Sequence, residues 1–520
     1  MSDFADGPQA WVGAWSEKRA QLTPDRVGLV DAATGERYTY AALDRRANRG
    51  SRLLRAAGVG GGDRFAVVSR NRPELVDLFF AAGKTGSVLA PLSHLLAPPE
   101  LAALLDRVDP ALLVVERPFL EKTRAALDDA DGAAPTVLAI EATDDGGGDE
   151  VPDGTATYAA ELPEDDSPVD TATLAPDDPH LLLHTGGSTG TPKEAVITHR
   201  GVVWNSLNTV ASWGLRDDDV TPLTFPMFHT GGWNVVTVPV WHMGGTVVLA
   251  REFDAGGLLG TVEREGATVL VAVPAVLRAL TEHDDWSGTD LSTLRIVKSG
   301  GGPCRQSVMD AWWSRGVDLS QGYGLTECGP NNFAMPDGWP HEKADTVGKP
   351  AMHVDARVVE DGEPVERGAV GELQLRSPHA AAGYLDSDES AATFGGGWVS
   401  TGDLASVDAD GYYRIEGRKK EMFVSGGENV YPAEIESVLT DHARIDEVVV
   451  VPVPDEQWGQ VGNAVVEGDD ALTVGDIEAF CDGRLARYKV PKRLAFVDEM
   501  PTSGPEKIDR QAVRERFGGE

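Results

Sequence analysis

Between Leu181 and Arg200 the chain reads Leu-Leu-Leu-His-Thr-Gly-Gly-Ser-Thr-Gly-Thr-Pro-Lys-Glu-Ala-Val-Ile-Thr-His-Arg. A short apolar run of strand length empties into a loop of glycines, hydroxyls and one lysine. Such a loop is suited to oxyanions. Gly186, Gly187 and Gly190 let backbone N–H groups converge on a phosphate, Thr185, Ser188 and Thr189 add hydroxyl donors, and Lys193 adds a point charge. The common nucleotide loop of ATPases and GTPases needs glycine before its lysine and Ser or Thr after it. Pro192 and Glu194 stand there instead, which excludes that loop. A glycine-rich surface turn is the plain alternative.

Two further glycine turns follow short β-rich runs. Leu294 to Val297 opens into Ser299-Gly300-Gly301-Gly302-Pro303, a flat backbone surface on which a planar base can lie. Leu319 to Glu327 reads Leu-Ser-Gln-Gly-Tyr-Gly-Leu-Thr-Glu, with Gly322 and Gly324 flanking Tyr323 and a hydroxyl beside a carboxylate at Thr326 and Glu327. Thr224 to Gly232 contains His229 ahead of the apolar segment Val235 to Val240. Thr401-Gly402-Asp403 is a turn, Arg418-Lys419-Lys420-Glu421 a charged segment, Ser425 to Asn429 a glycine turn, and Met500 to Arg510 a polar stretch holding Lys507.

Taken together and in this order, these motifs resemble those of the adenylate-forming (AMP-binding) superfamily, which includes acyl-CoA synthetases, adenylation domains and luciferases, and the likeness covers nearly the whole chain. The resemblance implies an ATP-dependent acyl-CoA synthetase using ATP, Mg²⁺ and coenzyme A. Thr185, Ser188, Thr189, Gly190 and Lys193 match the phosphate loop, Gly300, Gly301 and Gly302 the adenine turn, and Tyr323 the stacking ring between Gly322 and Gly324. Thr326 meets phosphate and Glu327 holds the metal, a role one carboxylate can fill beside phosphate oxygens. Asp403 and Arg418 match ribose contacts, Lys420 the hinge, Gly426 the turn lining the thiol passage, and Lys507 the catalytic lysine. His229 falls between nucleotide and acid. Trp233 resembles the gate of a fatty-acyl tunnel, and Asn234 follows on the same acid-side segment. Thr230 to Val240 has no acidic residue to meet an ammonium, so the acid is expected to be a fatty acid rather than an amino acid. Three departures stand out: Gly186 where serine is common, and Glu194 and Glu506 where glycine is usual. Glu194 sets a negative charge near phosphates and is expected to lower pyrophosphate affinity, while Glu506 could restrict the loop or pair with Lys507. Glu194 and Glu506 keep open a non-catalytic paralogue that binds nucleotide or acyl-AMP, and a ligase loading a carrier protein in trans is the nearest alternative.

The elements that must position these residues read as α/β. Tyr40 to Ala57 is an amphipathic helix, Phe65 to Val68 a buried strand, and Glu74 to Ala82 another helix. Short strands follow at Val88 to Pro91 and Ala111 to Val115, an alternation that argues a doubly wound sheet. Glu141 to Pro179 reads as a solvated connector, and Gly201 to Trp213 as a helix. Val354 to Val359, Gly371 to Arg376 and Gly411 to Ile415 change to a period of two, which suggests a small β-subdomain. A large domain over 1–416 and a small mobile α+β domain over 417–520 are expected, with the boundary near Gly417.

The formal charge of −37 disfavours nucleic acid and anionic membrane as partners and suits a high-salt cytoplasm, where self-repulsion is screened. Cys304, Cys328 and Cys481 are few and widely spaced, implying neither a disulfide framework nor a metal cluster. With no signal-like start and no membrane-length apolar run, a soluble cytoplasmic protein, possible as a homodimer, is expected.

Overall fold

A computed structural model describes residues 9–141, 155–185, 193–385, 390–425, 428–502 and 508–519. In the large amino-terminal part, β-branched and leucine-rich runs form strands buried on both faces, as parallel sheets require. One six-stranded sheet has the order Thr136–Ile140, Leu112–Glu116, Arg64–Val68, Val88–Leu92, Pro179–Thr185 and Lys193–Thr198. All pairings in it are parallel except the last, which is antiparallel. The helix Tyr40–Ala56 is capped by Thr39, whose hydroxyl accepts from Ala42 N, and it packs on the helix Pro73–Thr85. A second sheet joins Val27–Asp31, Thr246–Leu249 and Val220–Leu223 in parallel, with Arg37–Thr39 antiparallel at its edge. A third is the parallel set Val269–Ala272, Ile296–Ser299 and Leu319–Gln321.

Residues 355–418 then form the antiparallel β-subdomain, in which Asp355–Glu360, Gly371–Arg376, Val399–Val407 and Tyr413–Arg418 are successive neighbours. Sheet membership changes between Arg418 and Phe423. Phe423–Ser425 belongs to the carboxy-terminal sheet with Glu428–Val430, Ile445–Asp455, Gly459–Gly468 and Arg493–Val497. The strand Tyr413–Arg418 carries the chain past Gly417.

One reading is corrected. The described portion of the connector, 155–179, is strapped to the helix Tyr40–Ala56 rather than merely solvated: Arg49 donates to Pro163 O, Arg52 to Ser167 O and Arg55 to Asp170 O. The segment after His229 is helical. Gly231–Val235 forms one π-helical turn that leads into the helix Thr237–Met243. A Cβ on Gly232 would lie 2.5 Å from Pro226 O and Met227 Cα, so the chain folds back on itself only with glycine there. Among the described residues no helix is long and apolar enough to cross a membrane.

Candidate active site

The glycine turns lie where an open parallel sheet places its ligands, at the carboxyl ends of the strands. Gly300 follows Ile296–Ser299 and Gly322 follows Leu319–Gln321, and Gly322 N donates to Ser299 O at 2.7 Å, locking the two turns together. Around Gly300, Gly301 and Gly302 little approaches a built Cβ, and Gly301 has φ +86, so this turn presents bare backbone. Gly324 is glycine for another reason: a Cβ there would strike Pro330 O at 2.0 Å.

Tyr323 leaves this turn with its ring edge-on to Phe333, and its hydroxyl donates to Asp403 Oδ2. The other oxygen of Asp403 pairs with Arg418 Nε at 2.7 Å. Sheet register explains the second contact, because Asp403 and Arg418 stand directly opposite each other on neighbouring strands. Burial pushes the Asp403 carboxyl up and Arg418 opposes that shift. Each carboxylate oxygen retains a second lone pair, so donors on a ribose could still be accepted.

Two residues expected at the phosphate side, Lys193 and Glu327, meet at a residue that the motif reading does not name. Tyr384 donates its hydroxyl to Glu327 Oε1 at 2.7 Å, and Lys193 Nζ sits 5.1 Å from the centre of the same ring. One tyrosine thus spaces the phosphate-side cation from the metal-side carboxylate. Glu327 follows Thr326 in a single turn, Thr326–Cys328, and its carbonyl accepts from Ala381 N. A hard carboxylate held on one oxygen fits Mg²⁺, which prefers one or two carboxylates plus phosphate oxygens. Tyr384 has no periodicity around it in the sequence. Only its place after Gly383 hints at a turn.

Thr185 and Lys193 are paired across the antiparallel strands Pro179–Thr185 and Lys193–Thr198. Ser188, Thr189 and Gly190 lie outside the described residues, as do Gly426, Glu506 and Lys507. Glu194 departs from expectation. Successive strand residues point to opposite faces, and Glu194 is 2% exposed, with Oε1 3.0 Å from Arg107 Nη2. Its carboxylate meets Arg107.

On the acid side, His229 packs beside Phe228 and His184, at ring distances of 4.5 and 5.6 Å. Burial, with a smaller contribution from Arg107, pulls His184 down to about 4. Trp233, expected to gate a tunnel, is instead a core ring. It is 0% exposed, stacks on Phe79 at 4.8 Å and donates Nε1–H to Met227 O. Asn234 is also enclosed: its side-chain amide donates to Thr230 Oγ1 and its backbone carbonyl accepts from the Asn205 side chain. Lys420 lies in the turn after Arg418, and its carbonyl accepts from Arg514. Arg510 holds the carboxy-terminal side of the Lys507 segment, pairing with Glu421 at 3.0 Å and with Glu436 at 2.7 Å.

Comparison with known proteins places this arrangement. Residues 16–385 match the AMP-binding enzyme model and residues 434–507 match the AMP-binding enzyme C-terminal domain. Feruloyl-CoA synthase of Amycolatopsis sp is 37% identical over 513 residues, covering 98% of this chain and 99% of that protein. Indoleacetate–CoA ligase of Aromatoleum aromaticum is 36% identical over 508 residues, covering 96% and 97%. The long-chain fatty acid–CoA ligase FadD13 of Mycobacterium tuberculosis is 31% identical over 512 residues, covering 97% and 98%. ATP-bound MatB from Rhodopseudomonas palustris superposes with a TM-score of 0.86 at 28% identity, covering 98% of this chain and 99% of that one. Apo MatB, at the same identity and coverage, gives 0.76. With both family models matched in order and the whole length shared with CoA ligases, the chain belongs to the AMP-binding enzyme family, in its acyl-CoA synthetase branch, and is an AMP-forming acid–thiol ligase.

Proposed function

We propose that this ligase activates a compact, ring-bearing carboxylic acid and transfers it to coenzyme A. The observation carrying this reading is the burial of Trp233. Opening an acyl tunnel at that point would require the indole to give up its stack on Phe79, its hydrogen bond to Met227 and the burial of a whole aromatic side chain. The relatives named for feruloyl and indoleacetate substrates support the same choice, and FadD13 keeps a fatty acid as the second reading.

In the first half-reaction the carboxylate displaces pyrophosphate from the α-phosphorus of ATP, giving an acyl-adenylate. Glu327 would hold Mg²⁺, which when bound would neutralise charge on phosphoryl oxygens. Tyr384 fixes the Glu327 carboxylate and Lys193 adds positive charge on the phosphate side, so these donors are in place before charge develops. Asp403, held by Tyr323 and Arg418, orients the ribose. Lys507 offsets charge on the α-phosphoryl group. In the second half-reaction the small domain turns about Lys420, the Gly426 turn lines the thiol path, and the coenzyme A sulfur attacks the acyl carbon to give thioester and AMP.

A panel of ferulate, indole-3-acetate, octanoate and palmitate, with ATP, Mg²⁺ and coenzyme A present or omitted, tests the assignment by following AMP and thioester together. Thioester formation with kcat/KM highest for the two ring-bearing acids is expected. A maximum at palmitate would restore the fatty-acid reading, and AMP release without thioester would favour loading of a carrier.

A further inference from the structure

Away from the hinge, ion pairs between the two parts of the chain gather on Glu447. This residue stands near the start of the strand Ile445–Asp455 in the small part, and its Oε1 lies 3.1 Å from Arg305 Nη2 and 3.4 Å from Arg278 Nη1. Arg305 also donates to the carbonyl of Asp446, the preceding residue. Both arginines belong to the large part. Arg278 projects from the helix Pro274–Glu282, which begins after the strand Val269–Ala272, and Arg305 follows the Gly300 to Gly302 turn by three residues. All three side chains are only partly exposed, at 19% for Arg305, 32% for Arg278 and 31% for Glu447. In a chain of net charge −37, two arginines converging on one carboxylate are a local concentration of positive charge.

The far side of Glu447 leads to the Lys507 segment. Across the sheet Glu447 is opposite Glu467, whose carboxylate accepts the N–H of Met500 at 2.7 Å. Met500 begins the stretch that runs to Arg510, so a contact made at Glu447 bears on the base of that stretch through one pair of strands. The chain also superposes better on ATP-bound than on apo MatB, so the latch occurs in an arrangement of the two parts that is closer to the ATP-bound form.

We propose that Glu447, clasped by Arg278 and Arg305, is a positioning residue: it holds the small part in the orientation used for acyl-adenylate formation and must be released for thioester formation. This rests on the two-step reading above. A partly exposed contact of this kind biases an orientation equilibrium by about three- to fivefold, enough to set a ratio of half-reactions without being needed for either. Because the latch opposes rotation, loosening it slows one half-reaction and spares or speeds the other, a pattern that general loss of structure does not produce.

The test uses the full chain with whichever acid of the four-member panel gives the fastest ATP–pyrophosphate exchange. Glu447→Gln is expected to lower exchange about three- to fivefold at 50 mM KCl while thioester formation from supplied acyl-adenylate stays equal or rises. Arg278→Gln combined with Arg305→Gln, which removes the other side of the contact, is expected to do the same. Glu447→Arg is expected to lower exchange further and to recover when Arg278→Glu and Arg305→Glu are added. The difference between wild type and Glu447→Gln should shrink at 1 M KCl, where the Debye length is about 3 Å. An unchanged ratio of the two half-reactions, parallel loss of both in variants that keep the wild-type melting temperature, or no recovery in the charge-reversed triple variant would overturn the latch. Wild-type protein inactive in both half-reactions with all four acids would instead overturn the functional reading itself.

Discussion

The nucleotide side of the large part and the carboxy-terminal part hold the residues proposed to surround a phosphate in opposite ways. In the large part the site residues hold one another. Tyr323, Asp403 and Arg418 form one chain of contacts, Lys193, Tyr384 and Glu327 another, and each is fixed by strand register or a tight turn. In the small part the support flanks the chemistry. The described residues on either side of Lys507 are tied down, Thr502 bridging to Ile508 and Arg510 pairing with Glu421 and Glu436, and Glu436 also accepts from Val450 N. Groups needed in both half-reactions can be locked to each other. On the reading proposed above, a group needed in one step only would be carried on an element that moves, and the described residues on either side of Lys507 are the ones held in place.

The largest effect should come from breaking that division at Lys507. Lys507→Ala is expected to lower acid-dependent ATP–pyrophosphate exchange by ~10² to 10³, the usual cost of removing one charge-stabilising donor, while thioester formation from supplied acyl-adenylate is retained. Equal loss in both assays would mean that the small part contributes to both steps through the same group.

Acid should expose the comparison next. Ten of the eleven histidines precede residue 417, and several are buried. His180 and His199 are 0% exposed with rings 4.6 Å apart, and burial pushes His180 well below the usual range and His199 to about 4. A folded value below the unfolded 6.5 favours the neutral ring. The stabilisation is therefore complete above pH 6.5 and is lost as pH falls through 6.5 toward 4. For His199 alone the shift corresponds to ~3 kcal/mol at most. Melting followed by a large-part probe such as tryptophan fluorescence should fall steeply between pH 6.5 and 4.5, and His199→Phe should flatten that slope. A slope unchanged in that variant would assign the acid sensitivity to carboxylates instead.

A smaller effect is expected at Tyr384. Tyr384→Phe removes the hydroxyl from Glu327 and keeps the ring under Lys193, so the Mg²⁺ concentration for half-maximal exchange should rise about tenfold, the lower end for a group that orients a metal ligand. Thioester formation from supplied acyl-adenylate should change little. An unaltered Mg²⁺ requirement would separate Tyr384 from the metal.

Much of the architecture was legible because strands buried on both faces announce themselves as apolar runs. Phe65 to Val68 and Leu181 to Leu183 fall within observed strands, and the period-two segments Val354 to Val359 and Gly371 to Arg376 coincide, to within one residue, with strands of the antiparallel subdomain. Val220–Leu223 and Thr246–Leu249 passed unrecognised, since each is four residues long and one contains Pro222. The π-helical turn at Gly231–Val235 depends on contacts of Gly231 and Gly232 with Phe225, Pro226 and Met227, which no local pattern encodes. Site residues were readable where a motif surrounds them, as at Tyr323 and Glu327. Tyr384 was not, because its role arises only when residues nearly two hundred positions from Lys193 close over the strand pair.

The smallest effect should come from the substitution that looks most damaging in the sequence. Glu194 follows Lys193 directly, and adjacency suggests repulsion of pyrophosphate. Strand geometry reverses that inference: Lys193 pairs with Thr185 and Glu194 with His184, so consecutive side chains leave the strand on opposite faces. Burial raises the Glu194 carboxyl above its usual range and Arg107 offsets only part of that shift. Glu194→Gly should therefore leave KM for ATP and inhibition by pyrophosphate within about twofold of wild type, the range of a substitution that adds nothing to the ligand's surroundings. Its cost should appear as stability, because Arg107 loses its partner, and Arg107→Leu added to Glu194→Gly should recover part of it. A severalfold tighter pyrophosphate in Glu194→Gly would mean that the carboxylate does reach the phosphates when nucleotide is bound, and that this strand pair, unlike the Tyr323 to Arg418 chain, is rearranged by its ligand.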